Sequence, residues 1–132
     1  MYPGDLHYSE NHQWARVESG VATVGITHYA QEQLGEVVYI DLPNRDDEAR
    51  RGEFLGTVES VKATSDINSP VSGRVIEVNT SLDDDPAQIN QDPYGAGWLA
   101  KIDLSNPAEV RALMSAQEYV KHIQRLGEQK AG

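Results

Sequence analysis

One lysine, in a short polar run between two β-prone segments, constrains this chain more than any other feature. The run is Glu59-Ser60-Val61-Lys62-Ala63-Thr64-Ser65-Asp66. Phe54-Leu55-Gly56-Thr57-Val58 precedes it, and Val71-Ser72-Gly73-Arg74-Val75-Ile76-Glu77-Val78 follows. Strands joined by few residues predict a hairpin, and a hairpin tip projects its side chain into water. A lysine at such a tip is ordinarily a solvated surface charge. Gly52 and Gly73 stand ten residues before and eleven after Lys62, each ahead of a similar apolar run. This weak echo predicts two similar strand units with the lysine near their axis of approximate symmetry.

The rest of the chain reads as short strands with a helical tail. Leu6-His7-Tyr8 is a short strand candidate. Trp14–Glu18 alternates apolar and polar, Ser19-Gly20 forms a turn, and Val21–Ile26 returns, which predicts an N-terminal hairpin. Thr27 is placed to cap a brief helix with apolar contacts at Ala30 and Leu34, ended by Gly35 in the left-handed region. Glu36–Leu42, dense in β-branched and aromatic residues, is the strongest strand, and Pro43 stops it. Asn44–Arg51 reads as a charged loop or strand edge. Asn79–Asn90, rich in Asp, Ser and Pro, predicts an ordered loop running on through Gly97 to a strand at Trp98–Ile102.

Beyond that strand, Asn106, Pro107 and Glu109 resemble a capping box with proline at the first helical position. Val110, Leu113 and Met114 supply that helix with an apolar stripe. Ser115 and Glu118 repeat the box for a second helix with contacts at Tyr119, Val120 and Ile123 and Gly127 beyond its end. The predicted fold is one mainly β domain spanning residues 1–132, a small barrel or sandwich with a short inserted helix and C-terminal helices.

Composition narrows the function by exclusion. The chain has 132 residues and no cysteine, which removes disulfides, thiolate nucleophiles and Cys-held metals. Its net charge of −10 argues against phosphate backbones and favours encounters with basic protein surfaces. No apolar run is long enough for a bilayer, and Tyr2-Pro3-Gly4-Asp5 is not a leader, so the expectation is a cytoplasmic chain of bacterial type or a mature mitochondrial one. No Gly-x-Ser-x-Gly elbow and no phosphate-cradling glycine loop occurs. His7, His12, His28 and His122 lack metal spacing. Asp83-Asp84-Asp85 lacks the alternation and glycine of a calcium loop and reads as solvated. Tyr94 and Trp98 read as core and loop packing.

Lys62 remains, as an attachment point. Acylation of its ε-amine converts a charge into a neutral amide carrying a long arm. That chemistry needs exposure, small neighbours such as Val61 and Ala63, and a rigid base. Glu59-Ser60-Val61-Lys62-Ala63, with Asp66, Pro70, Gly73 and Glu77-Val78-Asn79 behind it, resembles the lipoylation region of the H proteins of the glycine cleavage system. The likeness extends through Val24-Gly25-Ile26-Thr27, Tyr29-Ala30-Gln31, Leu34-Gly35 and Leu42-Pro43 ahead of the lysine. Behind it, Ile89-Asn90, Asp92-Pro93-Tyr94-Gly95 and Gly97-Trp98 match a second signature loop. Biotin carriers flank their lysine with methionine, and acyltransferase lipoyl domains usually carry Asp-Lys-Ala.

The resemblance implies a flattened lipoyl-type β-barrel, or barrel-sandwich hybrid, with lipoic acid in amide linkage to Lys62. Glu59, Val61 and Ala63 are then the expected recognition residues for the modifying enzyme, a lipoate ligase or octanoyltransferase followed by lipoyl synthase. The implied partners are a pyridoxal-phosphate glycine decarboxylase, an aminomethyltransferase and a dihydrolipoamide dehydrogenase. The chain itself is expected to be a non-catalytic, monomeric shuttle for an aminomethyl group. In the family the loaded arm folds into a surface cleft, for which Asn11, His12, Gln13 and Asp66 are the candidates. The family typically has His-Glu-Trp where this chain has His12-Gln13-Trp14, so a neutral amide replaces a charge that could pair with the cargo's ammonium. The loop Asn44–Arg51 is also more charged than usual and reads as a solvated surface variation. Two other functions use the same residues: an H-like lipoyl acceptor and donor in lipoate assembly, and a structural β domain whose lysine stays unmodified.

Overall fold

The computed structural model describes residues 2–131, with side chains described as far as residue 127. Among the described residues, nine strands form two antiparallel sheets. The larger sheet has the order β1 (His7–Tyr8), β2 (Gln13–Glu18), β3 (Val21–Ile26), β9 (Ala100–Leu104), β8 (Gly73–Val78) and β5 (Glu48–Ala49). The smaller has the order β4 (Val37–Asp41), β6 (Phe54–Ser60) and β7 (Thr64–Asn68). This is the mainly β, barrel-sandwich body that the sequence predicts, and its sheets do not close into a continuous barrel.

Apolar side chains from both sheets hold the layers together. Ala15, Val24, Val75 and Ile102 of the larger sheet pack with Leu55 of β6. Ile26 packs with Val37, Ile40, Val58 and Ile67 of the smaller sheet and with Leu82, Ile89 and Leu99. A third cluster, Leu6, Tyr8, Trp14 and Tyr119, seats α4 (Ala116–Ala131) on the N-terminal strands. Gly25 permits this packing, because a Cβ there would lie 2.7 Å from the indole of the fully buried Trp14.

The N-terminal hairpin forms as predicted, with Gln13 opposite Ile26 and Glu18 opposite Val21. The inserted helix α1 (His28–Leu34) is capped by Thr27, whose side chain accepts from the Ala30 N–H, and Gly35 follows at φ 79°. The second capping box also forms: Glu118 Oε1 accepts from the Ser115 N–H at 3.0 Å, and Ser115 Oγ accepts from the Glu118 N–H at 3.2 Å.

Four elements differ from expectation. The lysine hairpin returns through β7, not through Val71–Val78, and the latter run supplies β8 to the other sheet. Ile67 is the single apolar residue of β7, so no alternation marks that strand, and its main-chain pairing with β6 defines it. The two echoing units therefore lie in different sheets. Asn79–Asn90 contains two short helices, α2 (Ser81–Asp84) and α3 (Gln88–Gln91), anchored by the buried Leu82 and Ile89. Pro107–Ala112 is a 3-10 helix without a cap from Asn106, because Glu109 instead accepts from the Ser72 N–H and hydroxyl, both at 3.0 Å. Gly127 lies inside α4 rather than past its end.

Candidate functional site

The tip residues between β6 and β7 are Val61, Lys62 and Ala63, all exposed. Glu59 pairs with Thr64 at the last rung, and one side chain organises the turn beyond it. Ser60 is buried, with its Oγ accepting from the N–H groups of Lys62 at 3.2 Å and Ala63 at 3.0 Å. Its hydroxyl donates to the Ala63 carbonyl at 3.2 Å, and the Ser60 N–H donates to the same carbonyl at 2.8 Å. A short polar side chain that competes for turn N–H groups is well suited to this work.

A second support lies beneath the tip. The Val61 N–H donates to the Glu36 carbonyl at 3.0 Å. A Cβ placed on Gly35 would lie 3.5 Å from Cε of Lys62, so the lysine stem runs directly over that glycine. Asn90 fixes the segment from below: its amide nitrogen donates to the Gly35 carbonyl at 2.8 Å and to Gln31 Oε1 at 3.0 Å, and its Oδ1 accepts from the Val37 N–H at 2.9 Å. Lys62 thus projects from a base tied to three elements.

Beside the tip runs a cleft of about 450 Å³, between α1, the loop before β2 and the start of β7. Asn11, His12, Gln13 and Asp66 all line it, together with Ala63, so residues more than fifty positions apart in sequence share one surface with the hairpin. Tyr29, Ile26 and Val58 give it an apolar side. Asp66 supplies the one carboxylate among the described lining residues. Glu59 and Val61 are exposed on the hairpin and are not part of the cleft wall.

The amide of Gln13 is committed to its own loop. Its nitrogen donates to the Asn11 carbonyl at 2.8 Å and its Oε1 accepts from Ser9 Oγ at 2.7 Å, with the side chain buried. His12 has a left-handed backbone, φ 74°, held by a donor bond to the Ser9 carbonyl and by the Thr27 N–H on its own carbonyl, both 3.1 Å. Its Nδ1 lies 2.7 Å from the Tyr119 hydroxyl. Burial pushes the Tyr119 phenol well above its ordinary range, partly offset by the Thr27 hydroxyl, so it acts here as a neutral hydrogen-bonding group. Tyr94, pushed up to about 12 by burial, accepts from the His28 N–H at 2.9 Å.

Ser60 and Asn90 are the site-building residues that residue-type reasoning missed. The signal for Ser60 was its place beside a tight turn; for Asn90 it was only its place in the second signature loop, since its partners lie more than fifty residues away. No group of three or more potential metal ligands occurs among the described residues. No helix among them is long and apolar enough to cross a membrane.

A β-sandwich that presents one lysine on a rigid hairpin beside a small cleft has the architecture of a carrier domain. Comparison with known proteins makes this specific. The family model described as Glycine cleavage H-protein matches residues 6–126. "Glycine cleavage system H protein 4" of Aquifex aeolicus is 47% identical over 98% of this chain and 76% of its own length. The "Glycine cleavage system H protein" of Symbiobacterium thermophilum is 53% identical over 89% of this chain and 91% of its own. A crystal structure of a glycine cleavage system H protein from Mycobacterium marinum superposes with a TM-score of 0.86 at 41% identity, over 92% of this chain and 98% of the other. The chain belongs to the glycine cleavage H-protein family.

Proposed function

We propose that the chain is a lipoyl carrier modified at Lys62 and that it serves glycine cleavage as a shuttle rather than as a catalyst. The observation that carries this reading is the placement of Lys62: exposed, braced by Ser60 and Asn90, and next to a cleft lined by Asn11, His12, Gln13 and Asp66. A lipoyl group fits these residues, because the exposed lysine passes over Gly35, which has no side chain to crowd its stem, and the neighbouring cleft combines an apolar side with polar residues. When attached, it supplies a disulfide that takes up the aminomethyl group of glycine and returns as a dithiol.

The chain's own residues bind and orient. Glu59, Val61 and Ala63 are the surface that the lipoate ligase or octanoyltransferase reads before lipoyl synthase completes the group. The cleft shields the loaded arm between visits to the pyridoxal-phosphate decarboxylase, the aminomethyltransferase and the dihydrolipoamide dehydrogenase. Asp66 offers its carboxylate to a cationic cargo. The net charge of −10 suits a carrier that must find several partners through basic surfaces.

Intact-mass measurement on protein from a lipoylation-competent host tests the attachment. The native chain should gain one lipoyl mass and Lys62→Arg none; a lipoyl mass on Lys62→Arg would move the site elsewhere. Turnover of the glycine decarboxylase with the modified chain tests the role. A chain that is modified yet supports no turnover would instead be a lipoyl acceptor and donor in lipoate assembly.

A further inference from the structure

Two walls of the cleft are joined at one buried hydroxyl. Asn11, His12 and Gln13 form the wall before β2, and Tyr29, Ala30 and Gln33 of α1 form a second. Thr27 makes the corner between them. Its N–H donates to the His12 carbonyl at 3.1 Å, and its Oγ1 accepts from the Ala30 N–H at 3.2 Å. The Tyr119 hydroxyl lies 2.7 Å from Thr27 Oγ1 and 2.7 Å from Nδ1 of His12, so it touches both sides of that corner. Thr27 and Tyr119 are both 0% exposed, and neither lines the cleft. The joint therefore sits behind the walls, where water does not replace a lost bond.

Tyr119 comes from an element with few other anchors. Among the described residues of α4 it is the one buried side chain, packed with Leu6, Tyr8 and Trp14. A helix held by one buried side chain opens more readily than the strands of a core. We propose that Tyr119 is a positioning residue for the arm: its hydroxyl holds the His12 loop against the start of α1, so the cleft keeps its shape only while α4 is docked. This deepens the carrier reading and rests on it for its purpose, because a cleft that shelters a loaded arm must also release it. The rings of His12 and Tyr29, one from each wall, lie 4.6 Å apart, so a shift of either wall is felt by the other.

Tyr8 supplies the control. It is equally buried, its ring stacks on that of Tyr119 at 4.9 Å, and its hydroxyl donates to the Pro3 carbonyl at 2.6 Å, which is no part of the cleft. Tyr8→Phe thus weakens the same aromatic cluster and leaves the joint untouched.

Amide exchange on the full arm-free chain tests the joint. In Tyr119→Phe, which keeps the ring, the amides of Thr27 and Ala30 should exchange about 5–10-fold faster relative to those of β9, and in Tyr8→Phe that ratio should stay native. No acceleration in a folded Tyr119→Phe chain, or an equal one in both variants, would overturn the proposal. Where Tyr119→Phe does not fold, the native chain decides. Under rising denaturant the Thr27 and Ala30 amides should open together with that of Tyr119, ahead of β9; their protection persisting after α4 has opened would also overturn it. On the lipoylated chain loaded with an aminomethyl group, Tyr119→Phe should lose its cargo about 5–10-fold faster and Tyr8→Phe at the native rate. A loss rate that does not separate the two variants removes the positioning role. The exchange measurements do not involve the arm: a native chain that gains no lipoyl mass removes the carrier reading while leaving the joint between the walls intact.

Discussion

Ser60→Ala is the most informative single change at the hairpin tip. It deletes two acceptor bonds, from the Lys62 and Ala63 N–H groups, and one donor bond to the Ala63 carbonyl. A typical intramolecular hydrogen bond contributes about 1 kcal/mol net, which sets an upper figure near ~3 kcal/mol. Lys62 and Ala63 are exposed, so water takes over their N–H groups, and two of the three bonds are long at 3.2 Å. The expected loss is therefore about 1–2 kcal/mol. The turn is still closed by the Ser60 N–H to Ala63 carbonyl bond and by the Val61 N–H to Glu36 carbonyl bond, so the effect stays local. In amide exchange, about 1–2 kcal/mol corresponds to roughly 5–30-fold faster exchange. The amides of Lys62 and Ala63 should show it, while those of β3 and β9 should not. The initial rate of lipoyl attachment should fall, and Ser60→Thr, which retains the hydroxyl, should restore both. Unchanged exchange at Lys62 and Ala63 in a folded Ser60→Ala chain would refute Ser60 as the organiser of the tip.

Further outcomes follow from the same contacts. Gly25→Ala forces a Cβ to within 2.7 Å of an indole that is itself buried and bonded to the Pro93 carbonyl, so the denaturant midpoint should drop by the equivalent of about 2–3 kcal/mol; a drop below about 0.5 kcal/mol would mean that the ring moves freely. Gln13→Glu replaces the donor to the Asn11 carbonyl with a carboxylate oxygen and should cost about 1–3 kcal/mol in a melt, yet slow loss of the aminomethyl group from the loaded carrier; an unchanged release rate would sink the second half. The Ser115 N–H and hydroxyl hold the Glu118 carboxyl below its ordinary 4.5, so the capping box stabilises α4 above that pH and loses its effect as pH falls through the lowered folded value. Helical circular dichroism of the native chain and Glu118→Ala should therefore differ at neutral pH and converge in acid; a constant difference would refute the linkage.

Much of the body was legible because its signals are local. The alternation of Trp14–Glu18 and Val21–Ile26, the Thr27 cap, Gly35 and the Ser115–Glu118 box each express a preference of a few adjacent residues, and each forms. Pro107 and Glu109 offered an equally local pattern that failed, because the carboxylate found a better partner in Ser72, 37 residues away. The strand β7 was missed for the same kind of reason. Four of its five residues are polar, and its extended form is imposed by pairing with β6 rather than by its own composition.

The sequence by itself determined that one lysine on a short connection is the feature to explain, that the chain can form no disulfide and no cysteine-held metal site, and, through strings on both sides of Lys62, which family the chain belongs to. Only the tertiary structure decided which strand closes the hairpin and that Asn90 braces the lysine from fifty-five residues beyond Gly35. It also placed Asn11, His12 and Gln13 on one cleft with Asp66, and linked His12 to Thr27 and to Tyr119, 107 positions along the chain. The physical reason is common to all of these. Local propensity is written in neighbours, whereas hydrogen-bond satisfaction in a buried interior is settled by whichever groups folding brings within about 3 Å.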